Sequence, residues 1–105
     1  MAFLKLRHLT KAVTTAGTRE QLTTASLKVP AVMIQAEVSN TGQVYAGDNQ
    51  VSATDCGVEL DSGDSITISA AELGWAEGKI DLSTIWLDVS VSTDGVWCTY
   101  LERED

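Results

Sequence analysis

The sequence predicts an all-β protein: a small β-sandwich or barrel, jelly-roll-like, with about six to eight antiparallel strands. Three observations lead there. Short runs rich in Val, Thr and Ser alternate apolar and polar residues, most clearly over residues 85–91, and alternation with period two is the signature of a strand with one buried face. Clusters of Gly, Asn, Asp and Ser interrupt these runs at roughly 10–20-residue intervals, the rhythm of an all-β chain. Where the β pattern breaks, over residues 70–81, Gly74 and Gly78 prevent a long helix.

Taken in order, residues 3–7 form a short apolar-basic run, β or irregular, and residues 14–18 (TTAGT) a turn-like break. Residues 20–24 read as a strand with Leu22 pointing inward. Pro30, the only proline, marks a strand edge or the approach to the first hairpin strand, since proline donates no ladder hydrogen bond. The stretch from Ala31 to Gly57 is the organising centre. In its first strand Val32, Ile34 and Ala36 share one face. Ser39-Asn40-Thr41-Gly42 then turns into a second strand from Gln43 to Ala46, which is predicted as a hairpin with Gly42 supplying a positive φ. Val58-Glu59-Leu60, the turn Asp61-Ser62-Gly63-Asp64 and the strand Ser65-Ile66-Thr67-Ile68-Ser69 give a second hairpin signature. In residues 70–81, a helical turn over residues 70–73 and Trp75 sit in an ordered insertion or long loop. Near the C-terminus Ile85, Leu87, Val89 and Val91 oppose Trp86, Asp88 and Ser90. Asp94-Gly95 predicts a tight hairpin, after which Val96, Cys98 and Tyr100 alternate with Trp97, Thr99 and Leu101.

A chain of 105 residues with 44% hydrophobic content is one globular domain over residues 1–105, with a modest core. Residues 1–12 are expected as a basic N-terminal arm. No apolar run approaches the roughly 20 residues of a membrane span. The leading MAFLKLRHLTK holds basic residues within its apolar run, unlike a signal peptide, so the chain is expected in the cytoplasm of the cell that makes it. Cys56 and Cys98 form no CxxC motif and are expected as small buried thiols.

Charge is unevenly distributed. Residues 1–28 carry Lys5, Arg7, Lys11, Arg19 and Lys28 against Glu20 alone, whereas the remainder holds two basic and 14 of the 15 acidic residues, within a net charge of −8. A basic segment on an acidic body suits contact with an acidic surface, such as a neighbouring copy; a solvated terminus is the plainer alternative. The acidic body argues against nucleic-acid binding.

Chemistry-bearing patterns are sparse. His8 is the only histidine, so a Ser-His-Asp or Cys-His set has a single candidate base, near a terminus. Gly42 and Gly47 have the spacing of a phosphate loop but precede Asp48-Asn49 instead of Lys-Ser/Thr. Asp48, Asp55, Glu59, Asp61 and Asp64 fit no EF-hand spacing and read as solvated loop carboxylates. No enzyme activity, cofactor or metal is expected. Trp86 and Trp97 lie opposite the aliphatic row of the C-terminal hairpin, which makes them candidates for a subunit interface or a sugar platform.

Several motifs together resemble small virion structural proteins of tailed bacteriophages, the kind that decorate or cement the head or attach to tail and fibre parts. They are Lys11-Ala12-Val13-Thr14-Thr15-Ala16-Gly17-Thr18, Gln21-Leu22, Val32-Met33-Ile34-Gln35-Ala36, Asn40-Thr41-Gly42-Gln43-Val44-Tyr45-Ala46-Gly47, Gly57-Val58-Glu59-Leu60-Asp61-Ser62-Gly63-Asp64-Ser65 and Ile85-Trp86-Leu87-Asp88-Val89. The resemblance spans residues 11–91; residues 73–81 and the basic N-terminus depart from it. It implies a β-sandwich without catalytic residues that assembles, often as a trimer, on a capsid or tail surface, and hence a virion location. The expected partners are other copies of the chain and a major capsid protein or tail proteins. Phe3, Leu4, Lys5, Leu6, Arg7, Trp86 and Trp97 are the expected interface residues. A tail- or fibre-associated module touching a host glycan is the alternative. Deleting residues 1–10 is expected to weaken assembly without unfolding the domain.

Overall fold

In a computed structural model, residues 3–70 and 79–104 are described, with side chains for residues 4–70 and 79–102. These residues form ten strands: β1 (Phe3–Ala12), β2 (Glu20–Gln21), β3 (Lys28–Val29), β4 (Ala31–Ala36), β5 (Val44–Gly47), β6 (Val58–Leu60), β7 (Ser65–Ser69), β8 (Ile80–Asp81), β9 (Trp86–Val89) and β10 (Gly95–Glu104). A single turn of 3-10 helix, Leu82–Thr84, precedes β9; the Asp81 carboxylate accepts its Ser83 N–H and caps it. The Asp81 carboxyl is held below the usual carboxylate range by hydrogen bonds from Ser83, then from Ser26.

Two four-stranded antiparallel sheets face each other. The first has the order β1-β10-β4-β7, the second β2-β9-β5-β6, and the short pair β3-β8 stands beside them. Strands β1, β4, β7 and β10 alternate along the chain with β2, β5, β6 and β9, so the chain repeatedly crosses from one sheet to the other. This is the topology of a jelly roll. The core follows the predicted faces. Val32, Ile34 and Ala36 of β4 and Val96, Cys98 and Tyr100 of β10 meet Val44 and Ala46 of β5, Leu60 of β6 and Leu87 and Val89 of β9, with Leu22 and Leu82 closing the sides. Ile66 and Ile68 of β7 pack against this cluster.

The predicted hairpins are not hairpins. β4 pairs with β10 and β7, whereas β5 pairs with β6 and β9. The turn at residues 39–42 therefore carries the chain between sheets. The same holds at residues 61–64, between β6 and β7, and at residues 90–94, between β9 and β10. A tight hairpin at Asp94-Gly95 would need positive φ at both residues. Instead Thr93 has a φ of 75°, and Gly95 already belongs to β10, paired with Ala12. Gly42 does not have positive φ either, whereas Gly63 does, at 85°. A Cβ at position 42 would instead overlap the side chains of Ser90 and Val91, which would have to shift to admit it. Val91, predicted to face the core, is exposed, since β9 ends at Val89 and the alternation has no ladder beyond it. The strand expected over residues 20–24 is only Glu20–Gln21.

These crossings bind to one another at one end of the sandwich. The Asn40 side chain accepts the Gly95 N–H at 3.0 Å and donates to the Gly95 carbonyl at 2.8 Å. The buried Asp94 carboxylate accepts the Thr41 and Gly42 N–H groups, the latter at 2.9 Å. Ala36 N–H donates to Asp64 O, and Gly63 N–H to Ala36 O. Asp88, also buried, accepts the Gly17 N–H at 2.9 Å, which lays the β1–β2 connection across the outside of β9. Buried carboxylates with such partners are tolerated where unpartnered ones would be costly.

The segment expected as an arm is strand β1, paired along its whole length with β10, from Phe3↔Glu104 to Ala12↔Gly95. Lys11 Nζ donates to Glu20 Oε1 at 2.9 Å, and this bond, with that from Thr14 N–H, holds the Glu20 carboxyl below its ordinary pKa. Of the predicted insertion, Ile80–Asp81 is strand β8, paired with β3; the predicted helical turn beyond Ala70, and Trp75, lie outside the described residues.

Both cysteines are free, but only Cys98 is buried; Cys56 is exposed on the β5–β6 connection. Burial pushes the Cys98 thiol up to about 11, which keeps it protonated and unreactive at neutral pH. Iodoacetamide at pH 8 is therefore expected to label one thiol per native chain, and both only after denaturant is added. Mass spectrometry showing both labelled at equal rates in native protein would contradict this packing.

Candidate functional site

β10 is the axis of the first sheet, but its two neighbours cover it unequally. β4 pairs only with Val96–Tyr100, whereas β1 runs the full ten residues beside it. The strand ends Phe3–Leu6 and Leu101–Glu104 therefore continue as a two-stranded ribbon, past the start of β4, at the end of the sandwich opposite the crossings.

Directly paired residues share a face of the sheet. Leu4, Leu6, His8 and Thr10 thus lie with Leu101, Thr99 and Trp97 on the outer face. Lys5, Arg7, Leu9 and Lys11 lie with Glu102, Tyr100, Cys98 and Val96 on the face that continues into the core. The outer face is open. Leu4 is 59% exposed, Leu6 69% and Trp97 39%; Leu101 and Met33 of β4 are half-buried on the same side. The other face of the ribbon is ionic. Arg7 Nε lies 3.6 Å from Glu102 Oε2, both about half exposed, a contact worth on the order of 0–1 kcal/mol.

The expected interface residues therefore separate into three places. Leu4, Leu6 and Trp97 share the outer face, with the His8 and Thr99 pair standing between Leu6 and Trp97. Lys5 and Arg7 stand on the opposite face of the same ribbon. Trp86 is on β9 in the second sheet, paired with Gln21 and Gly47, so it forms no cross-strand pair with Trp97 as a C-terminal hairpin would have required. Phe3 opens β1, and its side chain lies outside the described part. The alternation Leu4-Lys5-Leu6-Arg7 already encodes the split between leucines and basic residues.

His8 is exposed on the outer face. Among the described residues no three His, Cys, Asp or Glu side chains come together as a metal site would need, and no helix is long and apolar enough to cross a membrane. Compared with known proteins, the chain matches no protein-family model and no curated protein.

Proposed function

We propose that this chain is a non-enzymatic structural protein of a tailed-phage virion, a head decoration or cement protein that works as a homo-oligomer, most simply a trimer. The observation that carries the reading is the amphipathic ribbon, whose leucines at positions 4 and 6 stand in water while Arg7 and Glu102 occupy the reverse side. Burying one such leucine against a neighbour stabilises by roughly 1.5–3 kcal/mol before ordering costs. The motif resemblance supplies the virion context and the major capsid protein as the shell partner. The leucines provide the adhesion, and Lys5 and Arg7, exposed on the reverse face, set register against acidic surfaces of neighbours.

The test uses substitutions that keep β1 intact. Deletion of residues 1–10 would remove Leu9, which packs against the core, and an edge strand with it. Leu4→Thr/Leu6→Thr retains strand propensity. By sedimentation the wild type is expected near three times its 11.2 kDa chain mass, and the double variant as a folded monomer. Empty heads of the phage that carries the gene should co-sediment with the wild type only. A monomeric wild type at micromolar concentration, or a trimer that stays in the supernatant, would overturn the head-decoration reading.

A further inference from the structure

The second sheet carries a cleft that the ribbon does not use. It lies on the outer side of β9, with Trp86 in its lining, Gly17, Thr18 and Arg19 on one side and Asn49 and Gln50 on the other, and opens widely to solvent over a volume of about 500 Å³. That is the size range of small-molecule sites.

Both sides are fixed by the fold. The Gly17 N–H is held by the buried Asp88 carboxylate at 2.9 Å, and the Thr18 N–H by Thr15 O at 3.1 Å. Opposite, the Gln50 N–H donates to Asp48 Oδ1 at 2.9 Å, the Val51 N–H to Asp48 O at 3.1 Å, and Val51 is buried. Gly47 is the β5 neighbour of Trp86 in register, so no side chain from that position covers the indole, which stays half-buried. The side chains of Arg19, Asn49 and Gln50 are exposed, and among the described residues none makes a side-chain hydrogen bond or ion pair. Their hydrogen-bonding groups are free for a ligand.

We propose that this cleft binds a neutral pyranose, either a single sugar or one ring of an oligosaccharide. The C–H face of a pyranose is apolar and fits an indole. Its hydroxyls both donate and accept, and the Asn49 and Gln50 amides offer one acceptor and two donors each in a planar group. Arg19 adds donors only. A polyanion is disfavoured: Arg19 is the single cation in the lining, and the chain carries a net charge of −8. This proposal stands independently of the ribbon and of the virion reading.

Full-length ¹⁵N-labelled protein would be titrated separately with glucose, galactose, mannose, N-acetylglucosamine and their linear tetrasaccharides. The expected result is saturable shifts of the Trp86 indole N–H and of the amides of residues 17–19 and 49–50, with a dissociation constant on the order of 1 mM for at least one sugar. Trp86→Ala is expected to weaken binding by about 10-fold or more. Asn49→Ala/Gln50→Ala alters exposed positions only and keeps the test open should Trp86→Ala fail to fold; it is expected to weaken binding several-fold. No saturable shift up to about 50 mM of any of these sugars, binding unchanged in the surface double variant, or a response at the cleft to inorganic phosphate but to none of the sugars would each overturn the proposal.

Discussion

Gly95→Ala is expected to lower stability by about 3 kcal/mol, because the new methyl group meets backbone rather than a side chain. A Cβ at position 95 would overlap the Lys11 carbonyl oxygen and the Ala12 Cα. Neither is the flexible end of anything, so β1 and β10 must part where they pair at Ala12↔Gly95. Parting them also stretches the bonds from Val13 N–H to Asp94 O and from Glu37 N–H to Gly95 O, each worth roughly 1 kcal/mol. At roughly 4–8 °C per kcal/mol for a small domain, the thermal midpoint should fall by well over 10 °C. Thr93→Gly is the informative contrast two residues away. A β-branched residue at a φ of 75° costs about 1–2 kcal/mol, and glycine removes that cost while adding about 0.4–1 kcal/mol of chain entropy to lose. Calorimetry should therefore show Thr93→Gly unchanged or slightly stabilised. A midpoint for Gly95→Ala within about 3 °C of wild type would mean that the strands separate there at no cost and that the tight approach is not structural.

This pair of positions also shows where the sequence was legible and where it was not. Alternation identified which side chains face inward. Val32, Ile34 and Ala36, Val96, Cys98 and Tyr100, and Leu22 are all buried, because a strand with one core face must alternate whichever sheet it joins. The same alternation says nothing about which strand lies alongside. The residues that turn a hairpin, Asn, Gly and Asp, also turn a crossing between sheets, and the two differ in partners far away along the chain. The buried acids had no local signal for that reason. Asp88 is held by Gly17 and Asp94 by Thr41 and Gly42, all more than 50 positions distant, so no spacing rule could single them out. Of the apolar ribbon, the leucines were visible as apolar residues in a basic run. Their common face with Trp97 depends on the β1–β10 register, and the separation of Trp86 from Trp97 on the jelly-roll order of the sheets. The cleft beside Trp86 is built from two connections that meet only in the fold.

Removing the Asp94 carboxylate is the other substitution expected to have a large effect, and it tests whether the crossings act as one unit. Asp94→Ala strands the Thr41 and Gly42 N–H groups beside a buried site, which should cost about 2–3 kcal/mol in urea unfolding. Asp94→Asn keeps an acceptor oxygen but loses the charge that strengthens these bonds, so it should lie between wild type and alanine. Asn40→Ala breaks both bonds to Gly95 and should cost about 1–2 kcal/mol by the same reasoning. The two side chains work in opposite directions across a single contact: Asn40 reaches from the β4–β5 crossing to β10, and Asp94 from the β9–β10 crossing back to Thr41 and Gly42. Once either is lost, the crossings can move apart, and the remaining side chain no longer has its partners in place. The double variant should then lose less than the two single losses combined, by about 0.5–1.5 kcal/mol. If the losses instead add to within about 0.3 kcal/mol, each crossing is held by its own strands. The polar network would then ornament the end of the sandwich, and the jelly-roll order would have to be specified by the packing of the two sheets alone.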